Sequence, residues 1–200
     1  MSQDVSSLPE GAALPDGAAL RSMSAADIAP VSELENRLFP HDAWPESFFS
    51  DELSHAEPSA APERATRQYW VIEESAPEGV RIIGYAGMMC VLPIADVQTI
   101  AVAPEAQGRG LGTVLLRTII EAAVSRRAEQ VLLEVRADNP GAQALYRREG
   151  FEHIHTRPQY YPDGEDALIM QKALKDLNAP STAVTFGKAS EDSSSAGGTR

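Results

Sequence analysis

The chain has 200 residues, 43% of them hydrophobic, which suffices for one ordinary domain with a real core plus tails. A formal net charge of -12 argues against general affinity for nucleic acid, which rests on neutralising phosphates with Lys and Arg, and no apolar stretch approaches the ~20 residues that span a bilayer. The single cysteine, Cys90, excludes an internal disulfide framework and suits a reducing compartment.

Residues 1–19, rich in Ser, Pro, Gly and Ala, are predicted to form a disordered tail. They lack the basic start and apolar core of a secretory signal, so a cytoplasmic location is expected. Residues 177–200 read the same way, which leaves a folded domain over 20–176. Leu20 to Met23 fits a short strand. Asp27 is the expected N-cap of a helix carrying Ile28, Val31, Leu34 and Leu38, with Pro30 in its first turn. Trp44-Pro45 opens a second helix with Phe48, Phe49 and Leu53 on its apolar side. His55 to Arg67 reads as a loop. Gln68–Glu74 and Arg81–Leu92 form a hairpin of strands, and Asp96–Val102 is the next strand.

A glycine-rich turn, Gln107-Gly108-Arg109-Gly110-Leu111-Gly112, follows that strand and opens into a helix from about Arg109 to Arg126. The first N–H groups of a helix lack internal partners, and Arg109 adds positive charge, so this is a candidate anion site. The spacing is neither the G-x-G-x-x-G of dinucleotide folds nor a phosphate loop ending in Gly-Lys-Ser/Thr. Gln130–Arg136 is the following strand. Asn139-Pro140 starts a helix that Gly150 stops, with Ala142, Leu145 and Tyr146 on one side. Strands over Phe151–Thr156 and Asp166–Leu174 bring the total to about seven. Hairpins mixed with β-α-β crossovers indicate an α+β fold, a mixed sheet flanked by helices.

Three residues stand out chemically. Glu134 interrupts the apolar strand Val131-Leu132-Leu133-Glu134-Val135 and either faces outward on the pleat or stands in a cleft. Tyr146 is either a core aromatic or a cleft hydroxyl able to donate a proton. Asn139 has a ready role as helix cap. His153 and His155 alternate on a strand, but no third ligand follows at metal-binding spacing, so no metal is expected.

Taken together, Ile100-Ala101-Val102, the Gln-x-x-Gly-x-Gly turn, Leu132-Leu133-Glu134-Val135-Arg136, Asn139 and Ala144-Leu145-Tyr146 resemble the GNAT acetyltransferase superfamily. Arg157-Pro158-Gln159-Tyr160-Tyr161-Pro162, the Asp166–Met170 strand and the Phe39…Trp44 segment make the likeness closer to RimI-type N-terminal protein acetyltransferases. It covers about residues 20–174 and departs from the family in the Ala/Pro-rich loop near 55–67 and in both tails.

The resemblance implies a mostly antiparallel sheet whose central strands splay around acetyl-CoA. Backbone groups of Ile100, Ala101 and Val102 would meet the pantetheine arm, and N–H groups over Gly108, Arg109, Gly110, Leu111, Gly112 and Thr113 the pyrophosphate, with Asn139 a further contact. It also implies Glu134 as general base and Tyr146 as general acid in direct transfer to a protein α-amine, that of a ribosomal protein with N-terminal Ala. Phe39, Trp44, Tyr160 and Tyr161 would line the acceptor slot. A small-molecule amine or polyamine acetyltransferase is the same-fold alternative, and the acidic charge suits cationic amines as well as basic proteins. A non-catalytic acyl-CoA-binding module is the alternative from another class. Neither nucleic acid nor membrane is an expected partner.

Overall fold

Seven strands form one sheet: β1 (Ala18–Ser22), β2 (Arg67–Ala76), β3 (Gly79–Val91), β4 (Ile94–Val102), β5 (Gln130–Arg136), β6 (Glu152–Arg157) and β7 (Ala167–Ala173). Their spatial order is β1-β2-β3-β4-β5-β7-β6. The helices are α1 (Ile28–Leu38), α2 (Glu46–Ser54), α3 (Leu111–Ser125) and α4 (Pro140–Arg148). This computed structural model describes residues 8–9, 13–40, 43–56, 65–77 and 79–174. The expected tails outside that range, 1–7, 10–12 and 175–200, and most of the 55–67 loop (57–64), therefore lie beyond the described residues.

Every neighbouring pair in the sheet is antiparallel except β4 with β5, which run parallel. That parallel ladder spans only Ile94↔Gln130, Ala95↔Val131 and Asp96↔Leu132. Beyond it β4 continues to Val102 and β5 to Arg136 without pairing with each other, so the sheet splits into a β1–β4 half and a β5–β7–β6 half. The split is the feature that positions the site.

Alternation along β3 assigns the helices to faces. Tyr85, fully buried, meets the ring of Phe49 from α2 edge-on at 6.1 Å, whereas a Cβ on its neighbour Gly84 would stand 3.4 Å from Leu115 of α3. Successive residues of a strand point to opposite faces, so α1 and α2 cover one side and α3 the other. On α3, Leu111, Leu115, Leu116, Ile119 and Ala123 are buried, the i, i+4, i+8 stripe of a helix laid on a sheet. α4 lies beside α3: Gly112 packs on Leu145, and Arg117 pairs with Glu149 at 2.9 Å.

Several boundaries differ from expectation for local reasons. β1 begins at Ala18, two residues early, because Ala18 and Ala19 pair with Glu74 and Glu73; cross-strand pairing overrides their weak strand preference. Asp27 stands at the N-cap of α1, as expected, but a further helical turn precedes it, capped by Ser24. Ser24 precedes a 3-10 turn over Ala25–Asp27, and the Asp27 carboxylate accepts from the Ser24 N–H and hydroxyl, both at 2.8 Å. That is a capping box, with the acidic residue three positions after the cap. α3 starts at Leu111 rather than near Arg109. Gly108 (φ 75°) and Gly110 (φ 81°) are left-handed, so neither continues a right-handed helix.

Candidate active site

The β4 side of the split is built from backbone. The Ala103 N–H donates to the Ile83 carbonyl (2.8 Å), so this part of β4 turns alternate residues to β3. By that alternation Ala101 faces β3, and the N–H and C=O groups of Ile100 and Val102 face the edge that β5 has left. Ala101 thus offers the cleft only its small side chain. Gln107 folds back to donate to the Val102 carbonyl at 3.2 Å.

The glycine turn follows directly. Nothing lies within 4 Å of where a Cβ on Gly108 or Gly110 would be, so these glycines are required by backbone conformation and not by packing. The Gly110 carbonyl accepts from Thr113 and Val114, while α3 opens with no side-chain cap, so its first N–H groups remain available. Arg109 differs from the expectation of a free positive charge: it pairs with Glu74 of β2 at 2.6 Å. Hydrogen bonds from Arg109 and Arg81 hold the Glu74 carboxyl below the usual range.

The β5 side is built from side chains. Val131, Leu133 and Val135 are buried on the α3 face, which leaves Glu134 on the opposite, α1–α2 face at the mouth of the split. Glu134 is 34% exposed and is ion-paired with Arg157 at the end of β6. Tyr160 follows three residues on, and the Glu134 carboxylate beside it, with its own burial, pushes the phenol up. The Arg157 guanidinium lies 5.4 Å from the Tyr160 ring centre.

The loop between β6 and β7 forms a strap pinned at a second place. Arg136 donates to Asp138 (2.9 and 3.0 Å) and to Asp163 (2.6 Å) while covering the Tyr161 ring at 4.6 Å. The Tyr160 and Tyr161 rings meet edge-on, 5.2 Å apart.

Tyr146 lies on α4, beside α3. It is 5% exposed, packed against Phe151 at 6.0 Å, and burial with the neighbouring Tyr161 pushes its hydroxyl well above the usual phenol range. Asn139 is the α4 cap, its side chain accepting the Ala142 N–H at 3.0 Å. Among the acceptor residues, Phe39 caps α1 and is exposed, while Trp44 stacks on Phe48 (4.4 Å) and on the buried Phe49 (5.6 Å). The Trp44 N–H donates to Glu35, which also accepts from the buried Tyr85 hydroxyl. Burial of Glu35 raises its carboxyl above the ordinary range, against the Trp44 hydrogen bond.

Sequence reasoning missed two neighbours of Glu134. Arg157 stood in the motif but without a partner. Asp96 ends the β4–β5 ladder opposite Leu132, one pleat from Glu134, and burial and the Glu134 charge raise its carboxyl. An acidic residue beginning an apolar strand was the available signal. Cys90 is buried, as expected of a small packing residue. The two histidines lose their shared face because a bulge at Ile154 breaks the alternation, and His153 bonds Thr156 at 3.0 Å. Among the described residues no group of three or more His, Cys, Asp or Glu gathers as metal ligands, and no helix is long and apolar enough to cross a membrane.

The model of the Acetyltransferase (GNAT) family matches residues 29–151. N-alpha-acetyltransferase RimI of Mycobacterium tuberculosis is 38% identical over 161 residues, covering 78% of this chain and 92% of that protein. A Bacillus subtilis protein, a candidate [ribosomal protein bS18]-alanine N-acetyltransferase, is 36% identical over 159 residues, 79% of this chain and 97% of its own. The crystal structure of the ribosomal-protein-S18-alanine N-acetyltransferase of Escherichia coli superposes with a TM-score of 0.66 at 28% identity, over 82% of this chain and 99% of that one.

Proposed function

The chain belongs to the GNAT acetyltransferase family, and from that premise we propose that it moves the acetyl group of acetyl-CoA to the N-terminal α-amine of a protein. The substrate proposed is a ribosomal protein with N-terminal Ala, the bS18 type named for its relatives. One observation carries the reading: Glu134 stands at the mouth of the split, under a strap with two tyrosines.

The split fits the cosubstrate. Ile100 and Val102 turn backbone groups that lie outside the β3–β4 ladder into it, and the Gly108–Thr113 turn joins left-handed glycines to a helix start without a side-chain cap, a setting suited to a pyrophosphate. Asn139 is proposed as a further contact. When bound, acetyl-CoA supplies an activated carbonyl and a thiolate leaving group.

The chain's own residues would then do the following. An α-ammonium, with a reference pKa near ~8, must lose a proton before its nitrogen can attack, and the Glu134 carboxylate takes it directly or through a water. A β4 N–H would donate to the carbonyl oxygen as negative charge builds there. Tyr146, kept protonated by burial, would give its proton to the departing sulfur. Phe39, Trp44, Tyr160 and Tyr161 would frame the entering terminus. No covalent enzyme intermediate is needed, so Cys90 stays a packing residue.

The test compares turnover on an N-terminal-Ala peptide with turnover on polyamines and other free amines. Peptide turnover is expected to dominate. Turnover confined to free amines would overturn the protein-directed reading, and acetyl-CoA binding without turnover on any amine would point to a binding module.

A further inference from the structure

Glu134 does not await its substrate bare. The carboxylate oxygen Oε1 accepts from the Arg157 guanidinium. A guanidinium paired there holds positive charge where an incoming ammonium would stand, so the two cations compete for one carboxylate. Resting on the reading of Glu134 as base, we infer that Arg157 is the gate of the amine slot: its guanidinium stands in for the substrate's α-ammonium and is exchanged for it on entry.

The two arginines that flank the strap make this specific. Arg136 is held by two aspartates and by the Tyr161 ring, so it fixes the strap to β5. Among the described residues Arg157 pairs with one carboxylate, and its side chain is 50% exposed, so solvent can receive it when it swings out. The exchange replaces one cation by another and leaves no unpaired carboxylate in the cleft at either stage. A neutral group gains nothing by displacing a guanidinium, so the gate favours protonated termini. After transfer the terminus is an uncharged amide. It can no longer compete for Glu134, and the returning Arg157 helps expel the product.

The test uses the full chain, an N-terminal-Ala peptide and the same peptide already acetylated. An ion pair between half-exposed groups is weak, so Arg157→Gln is expected to lower peptide KM by about two- to fivefold, the change carried by KM. It should also tighten inhibition by the acetylated peptide by a similar factor, and Arg157→Lys should restore both constants. A fall in kcat with unchanged KM would overturn the gate and make Arg157 a residue that orients Glu134. Unchanged constants throughout would overturn it as well. A second measurement needs no turnover: carbodiimide labelling of Glu134, followed by mass spectrometry, should run severalfold faster in Arg157→Gln. Equal labelling rates would mean Arg157 shields nothing, whether or not any peptide is a substrate. A wild-type enzyme that labels as expected yet acetylates no peptide would overturn the functional reading alone.

Discussion

The two sides of the split are made from different materials. On the β4 side, Ile100, Val102 and the Gly108–Thr113 turn present main-chain groups, and the turn's own cation, Arg109, is held by Glu74. On the β5 side, Glu134, Arg157, Arg136, Tyr160 and Tyr161 form a lattice of charged and aromatic side chains. A backbone-built surface depends on dihedral angles and hardly on side-chain identity. A side-chain-built surface can be rewritten one residue at a time. The difference teaches where function is vulnerable: the first side through its glycines, the second through single side chains.

The most damaging single change should therefore fall on the β5 side. Glu134→Gln is expected to lower kcat about 10²–10⁴-fold, the usual worth of a general base, while stability moves by less than about 1 kcal/mol, as befits a partly exposed ion pair. Steady-state kinetics with thermal melts would check both halves, and a large loss of stability would make Glu134 structural. Tyr146→Phe should come next, near the lower end of the same range in kcat, with acetyl-CoA affinity kept.

On the backbone side, Gly110→Ala adds no clash but forces an L-residue into a left-handed conformation, at about 1–2 kcal/mol. If the turn relaxes to relieve this, acetyl-CoA KM rises about 5- to 30-fold with kcat little altered. Arg109→Gln, by contrast, should change that KM less than about threefold, because its charge is already paired. A larger loss would show that Arg109 leaves Glu74 for the cosubstrate.

The smallest expected effect concerns pH. Burial raises the Glu35 carboxyl above its ordinary 4.5, so the folded state holds that proton more tightly than the unfolded chain. Its contribution to stability is therefore full below about 4.5 and is lost as pH rises through the raised folded-state range. Melting of the wild type should show this loss on the alkaline side, and Glu35→Gln should flatten it. A variant with an unchanged pH slope would refute the assignment.

The elements themselves were legible because periodicity and punctuation are local signals. Gln130–Arg136 emerged with the bounds read from its pattern, and Asn139 caps α4 as the Asn-Pro pair suggested. The Ser24-x-x-Asp27 box was equally local, and was missed only because Asp27 is itself a good cap residue. Glu134 and Tyr146 were legible as unusual residues, but their surroundings were not. Arg157 reaches Glu134 from 23 positions away and Glu74 reaches Arg109 from 35, and such ion pairs depend on how distant segments meet within each half of the sheet. Asp96 became a neighbour of Glu134 only through the last rung of a three-rung ladder, which no pattern in either strand announces.

That short ladder has a consequence for how the chain is divided. β1 to β4 are consecutive in sequence and adjacent in space, and so are β5 to β7, so no strand of one half lies within the other. Besides the three rungs, the Glu129 N–H to the Pro93 carbonyl (2.8 Å) is a backbone tie across the junction, with α3 packed on strands of both halves. A cut between α3 and β5 would separate the chain into two pieces, each carrying an uninterrupted part of the sheet, and the cleft holding Glu134 would be the seam where the two pieces rejoin.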